Sequence, residues 1–297
     1  MECAHCGLTI GPEAWDAART GLTTASRQWR EPVRLPRGEG WHADDYTFRI
    51  AASRAGLWYT AQTGHHIDGH ASQPARGTLA KVDGAHSDTP VVLAVLARPG
   101  DPDLCGCLVR HAPFCDGAVV MLDTEDPADP GAVLCELPAE LRAQVEVIAR
   151  PLNDDFGAQR NAAQQRAGDG WVFHLDVDET LPISLLDRLS ILAGCCEDSS
   201  LRALGFARCN RVDGTLSDHF PDVQYRLVHG SVRFAKRVHE RPDACDDWPT
   251  TSIWLGDAID HHLSSARVHR RDRHYDALGQ DAERHGDAVA LLREYRP

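Results

Sequence analysis

Residues 171–179 read "WVFHLDVDE", a mostly apolar run that ends in three carboxylates, Asp176, Asp178 and Glu179, within four positions. The apolar part is strand-like and continuous rather than alternating, as in a strand buried on both faces. Working outward, the same rhythm repeats upstream. "PVVLAVLA" (90–97), "GAVVMLD" (117–123) and "VEVIAR" (145–150) are three further strands. The helical stretches "DPDLCGCLVRHA", "LPAELRAQ" and "DDFGAQRNAAQQRAG" separate them, the last with Asp at its start and Gly168 at its end. Strand–helix alternation of this kind predicts a parallel, doubly wound sheet covered on both faces. Ligands of such sheets bind at the carboxyl ends of the strands. That rule selects Ala97–Arg98, Asp123, Pro151–Asp155 and Asp176–Glu179.

Composition bounds the function. The 297-residue chain is 42% hydrophobic and 25% charged, an ordinary globular balance, and its net charge of −13 opposes non-specific nucleic-acid binding. No aliphatic run is long enough to span a bilayer, so no transmembrane segment is expected. The start "MECAHCGLTI" lacks the features of a secretory signal. Ten cysteines scattered through such a chain point to reduced thiols and a cytoplasmic setting.

An Asp-x-Asp pair past a strand lets one carboxylate reach a ribose or a water while the other coordinates a divalent ion. Such oxygen ligands suit Mg²⁺ or Mn²⁺. In isolation the pair reads equally as a solvated strand end before a helix N-terminus. Its context is more specific. The block "FGAQRNAAQQRAGDGWVFHLDVDETLP" (156–182) resembles the central motif of family-2 glycosyltransferases of the GT-A fold: Arg160-Asn161 on a helix, Gly168 to Trp171, then Asp176, Asp178 and Glu179. The stretches 91–127 and 225–240, the latter ending in "RVHE", are similar to the opening and downstream segments of that family.

The resemblance implies an α/β fold of GT-A (Rossmann-like) type, with a mixed, mostly parallel sheet and helices on both faces. It covers residues 89–275, preceded by a small, mainly helical N-terminal region (1–88) and followed by a helical tail (276–297). It implies a hexosyltransferase-like enzyme that depends on Mn²⁺ or Mg²⁺ and moves a sugar, with inversion, from a nucleoside-diphosphate donor to an acceptor. A UDP-sugar is the first donor expected. Ala97 and Arg98 would border the base, Asp123 the base or ribose, and Asp155, Arg160 and Asn161 the nucleotide and diphosphate. Asp176 would face ribose and metal, and Asp178 would bind the metal directly. Two loops depart from the family pattern, "ARPGDP" after the first strand and "LDTEDPADP" after the second. Two other readings compete. A nucleotidyltransferase on a similar sheet would want a Gly-rich basic loop after the first strand, and "ARPGDPDLCG" is poor in both. A non-catalytic, zinc-dependent interaction protein would need a degenerate site, against which the intact Asp176/Asp178 pair and Arg160-Asn161 argue.

Inverting transfer requires a general base for the acceptor hydroxyl. Glu240 of "RVHE" is the expected base and Glu179 the second candidate, with helix capping as the alternative role of Glu179. Asp213 of "RVDG" is a turn residue. His239 would support donor phosphates or pack beneath the sheet. His261, in "AIDHHLSS", lies where related enzymes return a histidine to the metal, with His262 beside it; the alternative reading is an exposed surface histidine. The basic run 266–277 could close over the diphosphate. At the N-terminus, Cys3 and Cys6 (C-x-x-C) with His66 and His70 (H-x3-H) would make one structural zinc site, or remain unliganded.

Overall fold

The computed structural model describes residues 89–198, 201–219, 222–237, 240–246, 250–270, 289 and 291–294. The candidate zinc residues Cys3, Cys6, His66 and His70, the N-terminal region, His239 and most of the C-terminal tail lie outside them.

The described residues fall into two compact units, one built from residues up to Phe206 with Gln224–Asp257, the other from Ala207–Val223 and the residues from Ala258 onward. In the first unit the sequence-predicted alternation is realised. β1 (Val91–Ala97), α1 (Leu104–His111), β2 (Gly117–Leu122), β3 (Val145–Ala149), α4 (Phe156–Ala167) and β4 (Trp171–Asp176) follow in order. Between β2 and β3 stand α2 (Asp129–Glu136) and the single-turn α3 (Ala139–Arg142). After β4 come β5 (Glu179–Thr180), α5 (Ile183–Leu186), α6 (Leu189–Asp198), β6 (Ala203–Val212), β7 (Thr215–Leu216), β8 (Asp222–His229), β9 (Phe234–Ala235), β10 (Arg241–Pro242) and β11 (Thr251–Leu263).

The main sheet runs β3-β2-β1-β4-β8-β6-β11-β5. β1 pairs in parallel with β2 and β4, and β2 with β3, whereas β8 is antiparallel to β4. The sheet is therefore mixed, with the parallel block carrying the expected α/β architecture. Its strands β1, β2 and β4 are buried on both faces, and Leu93, Val95, Val120, Phe173 and Leu175 are all at most 1% exposed, whereas β3 at the edge keeps Glu146 in solvent. Burial on both faces is why β1, β2 and β4 read as continuous apolar runs. Successive crossovers β1→β2→β3 step one way across the sheet, and β3→β4 steps back past β1. With right-handed crossovers this reversal puts α4 on the face opposite α1–α3, and it makes the β1/β4 boundary the topological switch point.

Three elements differ from the sequence reading. The Pro-rich 125–130 stretch leads into a helix, α2, because Pro130 falls in its first turn, where a missing N–H costs nothing. "SLLDRLSILAG", one helical stretch by its sequence, divides into α5 and α6. "AIDHHL", given no element in the sequence reading, ends a 13-residue strand, β11. In the second unit, β6 and β7 form a hairpin closed by Asp213 (φ 48°) and Gly214 (φ 83°), the left-handed pair that Asp-Gly supplies. Leu263, Val268 and Leu291 form a small core there with Val212.

Candidate active site

The carboxyl ends of the parallel strands are tied together by polar contacts. Asp123, just past β2, takes its backbone N–H to the Ala97 carbonyl at 2.8 Å and accepts the Leu152 N–H on Oδ1 at 2.7 Å. Its Oδ2 lies 3.6 Å from Nε of the exposed Arg98. One carboxylate thus links the loops after β1, β2 and β3. Asp155 caps α4 by accepting the Ala158 N–H at 2.8 Å, which is the helix start expected from "NDDFG". Its carboxylate stands 4.0 Å from the Arg237 guanidinium.

At the switch point the charges converge. Arg160, on α4 and 4% exposed, donates from Nη2 to Asp176 Oδ1 at 3.0 Å and from Nε to Glu240 Oε1 at 2.7 Å. Arg226, on β8 and 3% exposed, donates from Nη2 to Asp176 Oδ2 at 2.7 Å and to Glu179 Oε1. Glu179 then accepts the Asp176 N–H on Oε2 at 3.1 Å. Burial alone would depress the Arg160 pKa, but the carboxylates of Asp176 and Glu240 raise it, and the guanidinium stays charged. Asp178, two residues beyond Asp176, is 7% exposed. The acids are held at the strand mouth by two buried guanidiniums, which is how so much charge is accommodated there.

Behind this array sits His174, fully buried on β4. Its ring packs edge-on against Phe234 at 4.9 Å, and Nε2 faces Gln164 Oε1 at 3.3 Å. Burial first, and then Arg160 and Arg226, push its pKa well below the ordinary histidine value, so it is neutral. On α1, His111 bonds the Cys107 carbonyl through Nδ1 at 2.7 Å and accepts the Leu181 N–H on Nε2 at 3.2 Å, fastening the turn after Glu179. Burial lowers its pKa too, partly offset by the bond to Cys107. Cys107 beside it is pushed up to about 12 by burial and by Glu179, Asp176 and Asp178, so it stays a thiol.

The site residues expected from the sequence are distributed as follows. Asp176, Asp178, Glu179, Arg160 and Glu240 lie in one unit, and Arg160 and Arg226 tie Asp176, Glu179 and Glu240 into one network. Ala97, Arg98, Asp123 and Asp155 occupy the neighbouring strand ends. Asn161 is turned to the backbone of Phe234. Glu179 does not cap the following helix, α5, whose N-cap is Pro182; it belongs to β5 and braces Arg226 and the Asp176 backbone. His261 lies in the second unit, with Nδ1 at 2.7 Å from Asn210 Oδ1. Asn210 also donates to Asp222 at 3.1 Å, and Asp222 accepts from Arg208. Burial would raise the Asp222 pKa, but Arg208 and His219 drive it far below the carboxylate range.

Arg226 was not foreseen. Its one signal is a charged residue inside the apolar run "YRLV", a charge that must find a carboxylate if the strand is buried.

For a divalent cation, the donor set is chemically suitable. Asp176 and Asp178 offer hard carboxylate oxygens, and Mg²⁺ or Mn²⁺ is commonly held by one or two carboxylates together with substrate phosphates. Among the described residues, no three His, Cys, Asp or Glu side chains are grouped to hold a metal through protein ligands alone.

The fold and site together define a mixed, mainly parallel α/β protein with an acidic, guanidinium-braced mouth at its switch point. No protein-family model matches the sequence, and no curated protein matches it. Among solved structures, the chain is similar to S. aureus TarS 1-349 in complex with UDP-GlcNAc, at 12% identity and a TM-score of 0.39, over 59% of this chain and 58% of that one. It is similar also to the mannosyltransferase PcManGT from Pyrobaculum calidifontis, solved with GDP-Man and Mn²⁺, at 13% identity and a TM-score of 0.37, over 65% of this chain and 48% of that one. A cytidylyltransferase from Leptospira borgpetersenii is a third, at 19% identity and a TM-score of 0.30, over 40% and 57%. The matched region is less than two thirds of each of these proteins. At such scores the likeness is partial, and function is argued from the site.

Proposed function

We propose that this protein is a cytoplasmic, metal-dependent glycosyltransferase that moves a sugar from a nucleoside-diphosphate donor, a UDP-sugar first, to an acceptor hydroxyl with inversion. The observation that carries the reading is Arg160, whose one buried guanidinium joins Asp176 at the end of β4 to Glu240. A strand-end carboxylate and a second acid on a separate segment are the two groups a single displacement needs. Asp176 and Asp178 would hold Mg²⁺ or Mn²⁺, whose chemistry there is to neutralise charge on the departing diphosphate.

The residues divide the work. Glu240 takes the proton of the acceptor hydroxyl as its oxygen bonds to the anomeric carbon, and the bond to the diphosphate oxygen breaks, releasing nucleoside diphosphate. Glu179 is the weaker candidate for that base, because it is 1% exposed and both its oxygens serve Arg226 and the Asp176 backbone. Arg226 fixes Asp176 and Glu179, and Arg160 keeps a positive charge beside the diphosphate.

The test is a panel of UDP-, GDP- and dTDP-sugars with Mn²⁺, read by release of free nucleoside diphosphate. Release with one of them, reduced by Glu240→Gln at least about 100-fold, is expected for loss of a general base. No diphosphate release from the panel, with pyrophosphate released instead from a nucleoside triphosphate supplied together with a sugar 1-phosphate, would replace the reading with nucleotidyl transfer.

A further inference from the structure

Asn161 stands in the interior of α4, where asparagine is a poor helix former because its amide competes for backbone groups. Here it has taken up such a competition with another segment. Its Nδ2 donates to the Phe234 carbonyl at 2.9 Å, and its Oδ1 accepts the Phe234 N–H at 2.7 Å. The side-chain amide therefore imitates a strand neighbour, satisfying both backbone groups of one residue of β9.

Phe234 is one arm of a small hairpin. β9 pairs antiparallel with β10, Phe234 against Pro242 and Ala235 against Arg241. Glu240 immediately precedes Arg241. The same hairpin is fastened to the first turn of α4. The Phe156 N–H donates to the Arg237 carbonyl at 2.8 Å, and Arg237 Nη2 to the Asn153 carbonyl at 2.7 Å. At Gly157 a Cβ would collide with the Lys236 carbonyl oxygen, so only glycine admits this approach. Lys236 itself is held at φ 72°, a conformation that such docking must maintain.

We infer that Asn161, with Gly157, is a positioning residue for Glu240: it acts on the base through the paired strands β9 and β10, next to which Glu240 stands, and does not bind the donor. The inference rests on the proposed role of Glu240. Both groups of its amide are spent on Phe234, and the neighbouring Arg160 makes the direct contact with Glu240. α4 therefore sets the base by two routes, one ionic and one through the backbone.

The experiment compares Asn161→Ala, Gly157→Ala and Glu240→Gln with the wild-type chain. Turnover is read on the nucleotide sugar of the panel that gives the fastest release, and binding on the melting shift with UDP and Mn²⁺. Hydrogen exchange is followed at the Phe234 amide. Misplacing a base by about an ångström costs up to about 100-fold in rate. Asn161→Ala should lower kcat by about 10- to 100-fold, leave KM for the nucleotide sugar within about twofold, and expose the Phe234 amide to exchange. Gly157→Ala, which displaces the hairpin from its other end, should show the same split. Two results overturn the inference alone: Glu240→Gln inactive while both α4 variants keep wild-type kcat, or Asn161→Ala raising KM and abolishing the UDP–Mn²⁺ shift at unchanged kcat. Absence of turnover on the whole panel, or full activity of Glu240→Gln, sinks the proposed function and the inference with it.

Discussion

Arg226 shows what a buried charge demands of its surroundings. It is 3% exposed and meets two carboxylates, one of which, Glu179, is 1% exposed. Removing the guanidinium leaves Glu179 buried without its cation, which costs about 3–5 kcal/mol. Arg226→Ala should therefore lower stability by that amount in urea denaturation, and adding Glu179→Gln should recover part of it. Wild-type stability in the single variant would show the pair to be inessential. His174 and His111, both buried, give a pH dependence of known sign. His174 and His111 have pKa values lowered from 6.5 in the folded chain, chiefly by burial. Below that value the unfolded chain takes up protons that the folded chain does not. Their contribution is then full above pH 6.5 and is lost as the pH falls from there through each histidine's folded-state pKa. Urea midpoints compared across that range should shift accordingly, and His174→Phe should flatten the dependence; a flat wild-type profile would contradict it. The sequence displayed Asp176 and Asp178 openly, because charge at the end of an apolar run is visible in one dimension. It hid Arg226, whose meaning depends on a partner brought alongside by an antiparallel strand.

At the scale of elements, α4 is the part that both readings share, and it is richer in three dimensions. Its start at Asp155 and its end at Gly168 were legible from capping chemistry. Gly168 sits at φ 92° with open space where a Cβ would stand. Gly168→Ala thus isolates backbone strain from collision and should cost about 1–3 kcal/mol; thermal melting unchanged from wild type would deny the constraint. What the pattern "FGAQRN" could not display was its partner. The spacing of Gly157, Arg160 and Asn161 is that of a helix surface, yet their targets lie near residues 234–240, far along the chain. Helix α2 and strand β11 were missed for local reasons. Proline is read as a breaker unless its place in the first turn is known, and "SIWLGDAIDHHL" mixes polar and apolar residues without a clean period of two.

For the whole molecule, the parallel block β3-β2-β1-β4 follows from strand–helix alternation and crossover handedness, and so does the location of the site. The strand order beyond β4, through β8, β6 and β11, does not, since it depends on contacts between distant segments. Among the described residues no helix is long and apolar enough to cross a membrane. The central claim is that the acidic mouth at the switch point takes a nucleoside diphosphate with a divalent cation. Its most direct test is the melting temperature of the full chain with UDP, GDP or dTDP, each with and without Mn²⁺, for wild type and Asp178→Ala. A ligand at about 100 times its Kd that binds only the folded state stabilises it by about 2.7 kcal/mol. The account predicts a rise of several degrees with one nucleotide, dependent on Mn²⁺ and absent in a folded Asp178→Ala variant. No Mn²⁺-dependent rise with any of the three, or an undiminished rise in Asp178→Ala, would contradict it.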